Sequence, residues 1–148
     1  MSPVPTNLKH KPILVLSNYE AIDGKYAGNS DAKGLSIGLA QWNDRGSVDI
    51  SAKVWRFTGE KWSRQSEELP LHRVLDLAIL ITQAMKLDGK PQDLKLQVQG
   101  ADMEIDLCSD NKMLSKDIDL LQSYLADNAT VLNGRFSLLA ECLRHLGY

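Results

Sequence analysis

The chain has 148 residues, of which 43% are hydrophobic and 24% charged, and its formal net charge at pH 7 is -2. This length is typical of one folded domain, and the composition excludes an intrinsically disordered chain. The slightly acidic balance provides no bulk attraction to nucleic acid or to an anionic membrane, so we expect neither as a partner.

In chain order, the first half of the sequence predicts an extended arm, a loop and a sheet. Three prolines hold residues 1–12 extended, and residues 13–16 predict a short buried strand. Residues 17–34, the Gly-rich loop, combine glycines with Asn and Asp side chains, which is typical of a long irregular segment. Residues 35–42 and 48–57 alternate apolar and polar side chains, which predicts a hairpin with one buried face.

The middle of the chain predicts a helix between further strands. Residues 61–66 are more polar and predict an edge strand. Residues 70–87 begin with proline and are apolar around most of the helix circumference, which predicts a central and largely buried helix. Alternation over residues 94–98 and 103–107 predicts a second hairpin.

The last third of the chain predicts two helices and completes the fold class. Residues 114–146 carry leucines at helical spacing with a break at 127–130, which predicts an antiparallel helix pair. We therefore expect a single α+β domain over residues 1–148. It consists of a mainly antiparallel sheet of about five to six strands, with the central helix and the C-terminal helix pair packed on one face.

The register of the first predicted hairpin brings small residues beside large ones. If Trp42 pairs with Asp49, then Gly38 lies opposite Lys53, and the apolar side chains share the face beneath the helices. Trp55 then lies on the other, more polar face.

Aromatic rings on that polar face have two interpretations. Trp55 and Phe57 either are buried by the Gly-rich loop folding over them, or line a groove for a ligand or a protein partner. Trp62 follows the turn at residues 58–60, and its side of the sheet depends on the register there.

One pair of ionisable residues could carry catalysis. His72 and Asp76 are four residues apart and share a side of the predicted helix, so the carboxylate could orient the imidazole as a general acid or base. The alternative is an ordinary stabilising pair at a helix entrance. The residues that could bind an anionic substrate are Asp31, Lys33, Arg64 and Arg73.

Cysteines and the N-terminus limit the setting of the protein. Cys108 and Cys142 lie far apart and match no metal-ligand spacing, which predicts free core thiols, no metal site and no other cofactor. Residues 1–12 contain no apolar signal-peptide core, and the longest apolar stretch, residues 74–81, is too short to cross a bilayer. The sequence therefore indicates a cytoplasmic protein.

Three segments resemble those of an uncharacterised bacterial family without an established activity: residues 23–34, residues 51–56 and residues 67–73. The resemblance extends over roughly the first two thirds of the chain. It implies a stand-alone bacterial cytoplasmic protein and assigns no catalytic residue.

These observations lead to two hypotheses of different classes. The first is a non-enzymatic ligand- or protein-binding module that uses the aromatic face and the Gly-rich loop, and a second copy of the chain is among its candidate partners. Its candidate binding residues are Asp31, Lys33, Trp55, Phe57, Trp62, Arg64 and Arg73. The second is a small hydrolase or transferase with His72 as acid or base, Asp76 as its orienting partner and the Lys and Arg side chains as an anion site.

Overall fold

The structure is a computed structural model that describes residues 4–44, 46, 48–63, 66–87 and 96–148. Its strands are β1 (Lys11–Leu16), β2 (Ala32–Leu39), β3 (Ile50–Arg56), β4 (Glu68–Pro70), β5 (Gln97–Val98) and β6 (Ala101–Asp102). Its helices are α1 (Leu71–Met85), α2 (Leu114–Asp127) and α3 (Ala129–His145). The predicted α+β class is confirmed, with a four-stranded antiparallel sheet, a separate two-stranded sheet and three helices in the described part of the chain.

The chain divides into two compact units, Met1–Ile79 and Leu80–Tyr148. The first unit contains the four-stranded sheet, and the second contains β5, β6, α2 and α3. The expectation of a single domain over residues 1–148, with the helices on one face of the sheet, stays a prediction.

The four strands follow one another across the sheet in chain order, each antiparallel to the next. The predicted register of the first hairpin is wrong by two residues, because Gly38 pairs with Ser51 rather than with Lys53. The cause is the loop between β2 and β3, which the Asn43 side chain closes by two hydrogen bonds to the backbone of Asp49. A shift of two residues leaves every side chain on its predicted face.

The more deeply buried face of this sheet is the polar one, not the apolar one that the sequence predicts. The buried positions are Ala32, Gly34, Ser36, Gly38 and Ala40 along and just after β2, and Ser51, Lys53 and Trp55 along β3. The apolar residues of the opposite face are only half-buried, and β1, expected to be buried, is an edge strand with mostly exposed side chains.

The start of the chain covers the polar face. Residues 4–10, the arm segment, contribute Val4 near Gly34 and the fully buried side chain of His10. A Cβ atom at Gly38 would lie 2.1 Å from the carbonyl oxygen of Lys11, so only glycine allows β1 to approach so closely there. The small residues of β2 therefore serve the close passage of the N-terminal segment.

Elsewhere in the first unit the predicted elements are displaced or more exposed. The edge strand predicted at 61–66 is absent from the described residues 61–63 and 66, where Trp62 forms only an isolated bridge with Phe57; residues 64 and 65 lie outside the described residues, and the fourth strand of the sheet is β4. Helix α1, which continues into the second unit, begins one residue later and ends two residues earlier than predicted, and none of its side chains is buried.

In the second unit, β5 and β6 join through Gln99 and Gly100, both at positive φ, which is the geometry of a tight two-residue hairpin turn. The predicted strand at 103–107 is wrong because β6 ends at Asp102, and the prediction for 94–98 lies partly outside the described residues. Helices α2 and α3 meet at Asn128, which confirms the predicted break.

Both cysteines are free but exposed, so their placement in a core was wrong. Among the described residues, no helix is long and apolar enough to cross a membrane.

Candidate functional site

An open cleft of about 1060 Å³ lies beside the Gly-rich loop, at the end of the four-stranded sheet. Its walls come from residues 20–33 of the loop and β2, and from residues 56–59, which are the last residue of β3 and the three that follow it. Three of the predicted binding residues, Asp31, Lys33 and Phe57, line this cleft together.

The wall formed by the Gly-rich loop is held in shape by its own hydrogen bonds. Two short 3-10 turns, Tyr19–Ala21 and Gly24–Tyr26, are followed by Gly28 at φ +83°, a conformation that favours glycine. The hydroxyl of Ser30 donates to Asp23 Oδ2 at 2.6 Å and accepts from the backbone N–H of Ala32 at 2.9 Å. The loop is thus a compact Ω-like segment rather than an open excursion.

Both cations that line the cleft are bound by carboxylates. Lys33 Nζ pairs with Glu20. Arg56 donates from Nη1 to Asp31 at 2.6 Å and from Nη2 and Nε to the two oxygens of Glu67 at 2.7 and 3.1 Å. These contacts raise the pKa of Arg56, mainly through the hydrogen bonds that it donates to Glu67, and the same bonds lower the pKa of Glu67 below its ordinary value.

Sequence reasoning missed Arg56 and Glu67 as members of this site. Arg56 ends β3 and Glu67 directly precedes β4, so their contact depends on the pairing of these two strands. The sequence interpretation placed the neighbouring strand at 61–66, which hid this pairing.

The predicted aromatic residues separate into one that lines the cleft and two that lie behind it. The Phe57 ring lines the cleft and packs on Trp62 with ring centroids 5.2 Å apart, and Trp62 packs edge-on against Trp55 at 5.9 Å. Trp55 is only 1% exposed and contacts His10 of the arm segment. Trp55 is therefore buried beneath the arm segment rather than beneath the Gly-rich loop, whereas Phe57 and Trp62 are only half-buried.

The predicted catalytic residues do not join this site. His72, Arg73 and Asp76 are exposed on the first turns of α1 and do not line the cleft. No hydrogen bond or ion pair between His72 and Asp76 is present in this described helix, and Arg64 lies outside the described residues. Their proposed roles stay predictions.

A second cluster of polar side chains is buried beneath the arm segment, and no sequence pattern pointed to it. We call it the His10 network; its members are His10, Ser36, Ser51, Lys53, Trp55 and Glu68. His10 Nε2 lies 2.9 Å from Ser36 Oγ, and His10 Nδ1 lies 2.9 Å from Ser51 Oγ, across 26 and 41 positions of sequence. Such long-range contacts leave no local spacing to recognise.

The donors and acceptors of this network fix the histidine tautomer. Ser51 donates its hydroxyl proton to Glu68 Oε2 at 3.0 Å, so its oxygen accepts from His10 Nδ1–H. Ser36 accepts from the indole N–H of Trp55 at 2.8 Å and donates to the bare Nε2 of His10. Trp55 donates to Ser36, which donates to Nε2 of His10. Nδ1 of His10 donates to Ser51, which donates to Glu68. His10 is therefore a neutral imidazole with its proton on Nδ1.

Burial lowers the pKa of His10 below its ordinary value of 6.5; the carboxylate of Glu68 opposes this shift and the positive charge of Lys53 adds to it. Glu68 Oε1 lies 3.6 Å from both His10 Nδ1 and Lys53 Nζ and has no hydrogen-bond partner among the described residues. Its other oxygen also accepts from the backbone N–H of Gln41.

The Ser36–His10 contact has the distance of a nucleophile–base pair, but the arm segment that carries the imidazole also covers the serine. The network therefore fastens the arm segment to the sheet. Among the described residues, no group of three or more His, Cys, Asp or Glu side chains is arranged to hold a metal ion.

Comparison with known proteins places the whole chain in one family. Residues 1–148 match the model of a family of unknown function, DUF6530, which extends the resemblance found in the first two thirds of the sequence to the full length. No curated protein and no solved structure matches the chain. The chain therefore belongs to DUF6530, a family of unknown function.

Proposed function

We propose that the protein is a non-enzymatic binding module whose site is the cleft beside the Gly-rich loop. The observation that carries this proposal is the convergence of Asp31, Lys33 and Phe57 on one cleft. The bacterial cytoplasm, as the expected setting, is part of the same proposal and rests on the sequence resemblance.

The make-up of the cleft supports recognition rather than chemistry. It combines the exposed ring of Tyr26 and the ring of Phe57 with carboxylates, amides and hydroxyls, a mixture that gives contact area and orientation to a bound molecule. The ionisable side chains there that have strong partners, Lys33 and Arg56, form ion pairs within the protein. Such pairs shape the site and hold both of its cationic side chains in contacts within the protein.

No geometric observation in the described residues favours the hydrolase or transferase alternative. His72 is exposed, and no described carboxylate orients its imidazole. The alternative therefore has no support beyond the sequence spacing.

The test is an NMR titration of the isotopically labelled protein with defined probes: glucose, L-arginine, L-glutamate, adenosine monophosphate and inorganic phosphate. We expect at least one probe to shift the amide signals of residues 19–31 and 57–59 in a saturable manner. Phe57→Ala should weaken this response, whereas Tyr148→Ala, which removes an aromatic ring that is 87% exposed at the far end of the chain, should not.

Binding that maps to other residues, or no saturable shift with any probe, would contradict the proposal. Sedimentation velocity on the same samples measures whether the protein self-associates, which the sequence interpretation left open.

A further inference from the structure

We infer that the cleft beside the Gly-rich loop selects ligands with a positively charged amino or guanidino group. This inference rests on the proposed function, because it names the chemical class of ligand for the same cleft. It also reverses the earlier expectation of an anionic substrate held by Asp31, Lys33, Arg64 and Arg73.

The charges of the cleft are the first argument. Three carboxylates line it, those of Glu20, Asp23 and Asp31, against the two cations Lys33 and Arg56. Each cation already contacts a carboxylate, and Arg56 is also held by Glu67 from outside the lining. An anion that approached Lys33 or Arg56 would meet a carboxylate already paired with that cation, and the repulsion between the two negative charges disfavours its binding.

Asp23 is the carboxylate without a counter-charge in the described part of the cleft. Its side chain accepts one hydrogen bond, from the hydroxyl of Ser30, and is half-buried at the turn before Gly24–Tyr26. An ionised carboxylate has about four acceptor positions, so most of the capacity of Asp23 is open to a donor. A ligand ammonium or guanidinium supplies both the donors and the opposite charge.

The aromatic wall of the cleft favours the same charge. The Tyr26 ring is 58% exposed and already has one cation over it, Lys25 Nζ at 5.3 Å from the ring centroid. The face of an aromatic ring carries negative potential, so a ring beside carboxylates attracts a cation and repels an anion.

Hydrogen-bonding capacity gives the third argument. The carboxylates of the cleft are acceptors only, and the N–H donors of Lys33 and Arg56 are directed at carboxylate oxygens of the protein. A ligand that brings donors to the open acceptor positions of these carboxylates therefore fits the cleft better than a ligand that brings only acceptors.

The test compares three probes: the n-butylguanidinium cation, n-butylurea as its neutral isostere, and inorganic phosphate as a small anion. Binding is measured by NMR chemical-shift titration of the full-length protein at low ionic strength. We expect n-butylguanidinium to bind at residues 19–31 at least about fivefold more tightly than n-butylurea, with the difference shrinking as salt is added.

Variants with opposite expected effects make the test specific. Asp23→Asn should weaken n-butylguanidinium binding by about two- to fivefold, and Lys33→Gln should strengthen it by a similar factor because it releases Glu20. Glu104→Gln is the control for net charge, since Glu104 is exposed on the second unit, and it should leave the affinity unchanged.

A capped tripeptide, acetyl-Gly-Arg-Gly-amide, distinguishes a protein segment from a free amine as the source of the cation. Tighter binding than n-butylguanidinium indicates an arginine of a partner protein, and equal or weaker binding indicates a small molecule; either result supports the inference. Phosphate or n-butylurea binding more tightly than the cation at this cleft, or Lys33→Gln weakening the cation, would overturn the inference while leaving the binding module intact. Absence of any binding at the cleft would overturn both.

Discussion

The buried neutral histidine predicts a specific pH dependence of folding. His10 has a pKa below 6.5 in the folded protein because burial disfavours its charged form, whereas the unfolded chain takes up the proton at its ordinary value. Between these two pKa values the unfolded state binds more protons, so the free energy of unfolding falls as the pH is lowered below 6.5. Above that pH the contribution is fully present.

The magnitude follows from one proton. The loss between pH 7.5 and pH 5.5 has an upper bound of about 1.4 kcal/mol, which a group that stayed neutral over this whole range in the folded state would reach. His10→Gln should remove this slope. It should also cost about 1–3 kcal/mol at pH 7.5, because a glutamine side chain cannot bridge Ser36 and Ser51 in the geometry of the imidazole.

The assay is urea unfolding at pH 7.5, 6.5 and 5.5, followed by tryptophan fluorescence. All three tryptophans lie in the first unit, so the signal reports on the sheet that contains the His10 network. His72→Gln, at an exposed imidazole, is the matched control and should keep the slope of the unmodified protein. A flat profile in the unmodified protein, or an unchanged slope in His10→Gln, would refute the assigned charge state.

Further substitutions test the packing and the charges. Gly38→Ala should lower the free energy of unfolding by about 1–3 kcal/mol in the same fluorescence assay, because its Cβ would meet a carbonyl oxygen of β1 at 2.1 Å. Gly134→Ala, in open space on α3, should instead raise the melting temperature measured by circular dichroism, through a gain of about 0.5–1 kcal/mol; a similar loss at both glycines would contradict the close approach. Glu68→Gln should destabilise by about 3–5 kcal/mol because it leaves Lys53 buried without its counter-charge, and adding Lys53→Met should recover most of that loss in a double-mutant cycle. Arg56→Gln should change stability by less than about 1 kcal/mol, since its pairs are exposed, and a larger effect that salt does not reduce would count against that assignment.

Local pattern predicted the strands of the hairpin but not what covers them. Alternation along residues 35–42 and 48–57 placed each side chain on the correct side of the sheet, because that side depends only on the period of a strand. The predicted register was wrong by two residues because the Asn43 side chain closes the loop through two hydrogen bonds. Alternation along a strand contains no information about such a contact. Burial of the polar side follows from the arm segment, whose contacts join residues far apart in sequence.

The sequence predicted those parts of the candidate site that local composition and alternation mark. Glycine, Asn and Asp residues marked the Gly-rich loop, which supplied Asp31 and Lys33, and the alternation of residues 48–57 supplied Phe57. The role of Arg56 could not be predicted because its partners, Asp31 and Glu67, lie at the end of the Gly-rich loop and directly before β4, far from Arg56 in sequence. The spacing of His72 and Asp76 was present but ambiguous, because four residues on a helix describe a surface pair as well as a catalytic one.

The fixed donor and acceptor roles in the His10 network limit which amino-acid substitutions this sheet can accept. Ser36 and Ser51 each donate one hydrogen bond and accept another. Alanine at either position would therefore leave one buried donor and one buried acceptor without a partner. Substitutions at His10, Ser36 and Ser51 that preserve folding should therefore arise in matched sets that keep an acceptor for the indole N–H of Trp55 and a donor for Glu68 Oε2. A selection for folded variants from a library randomised at these three positions would recover such sets and few single changes.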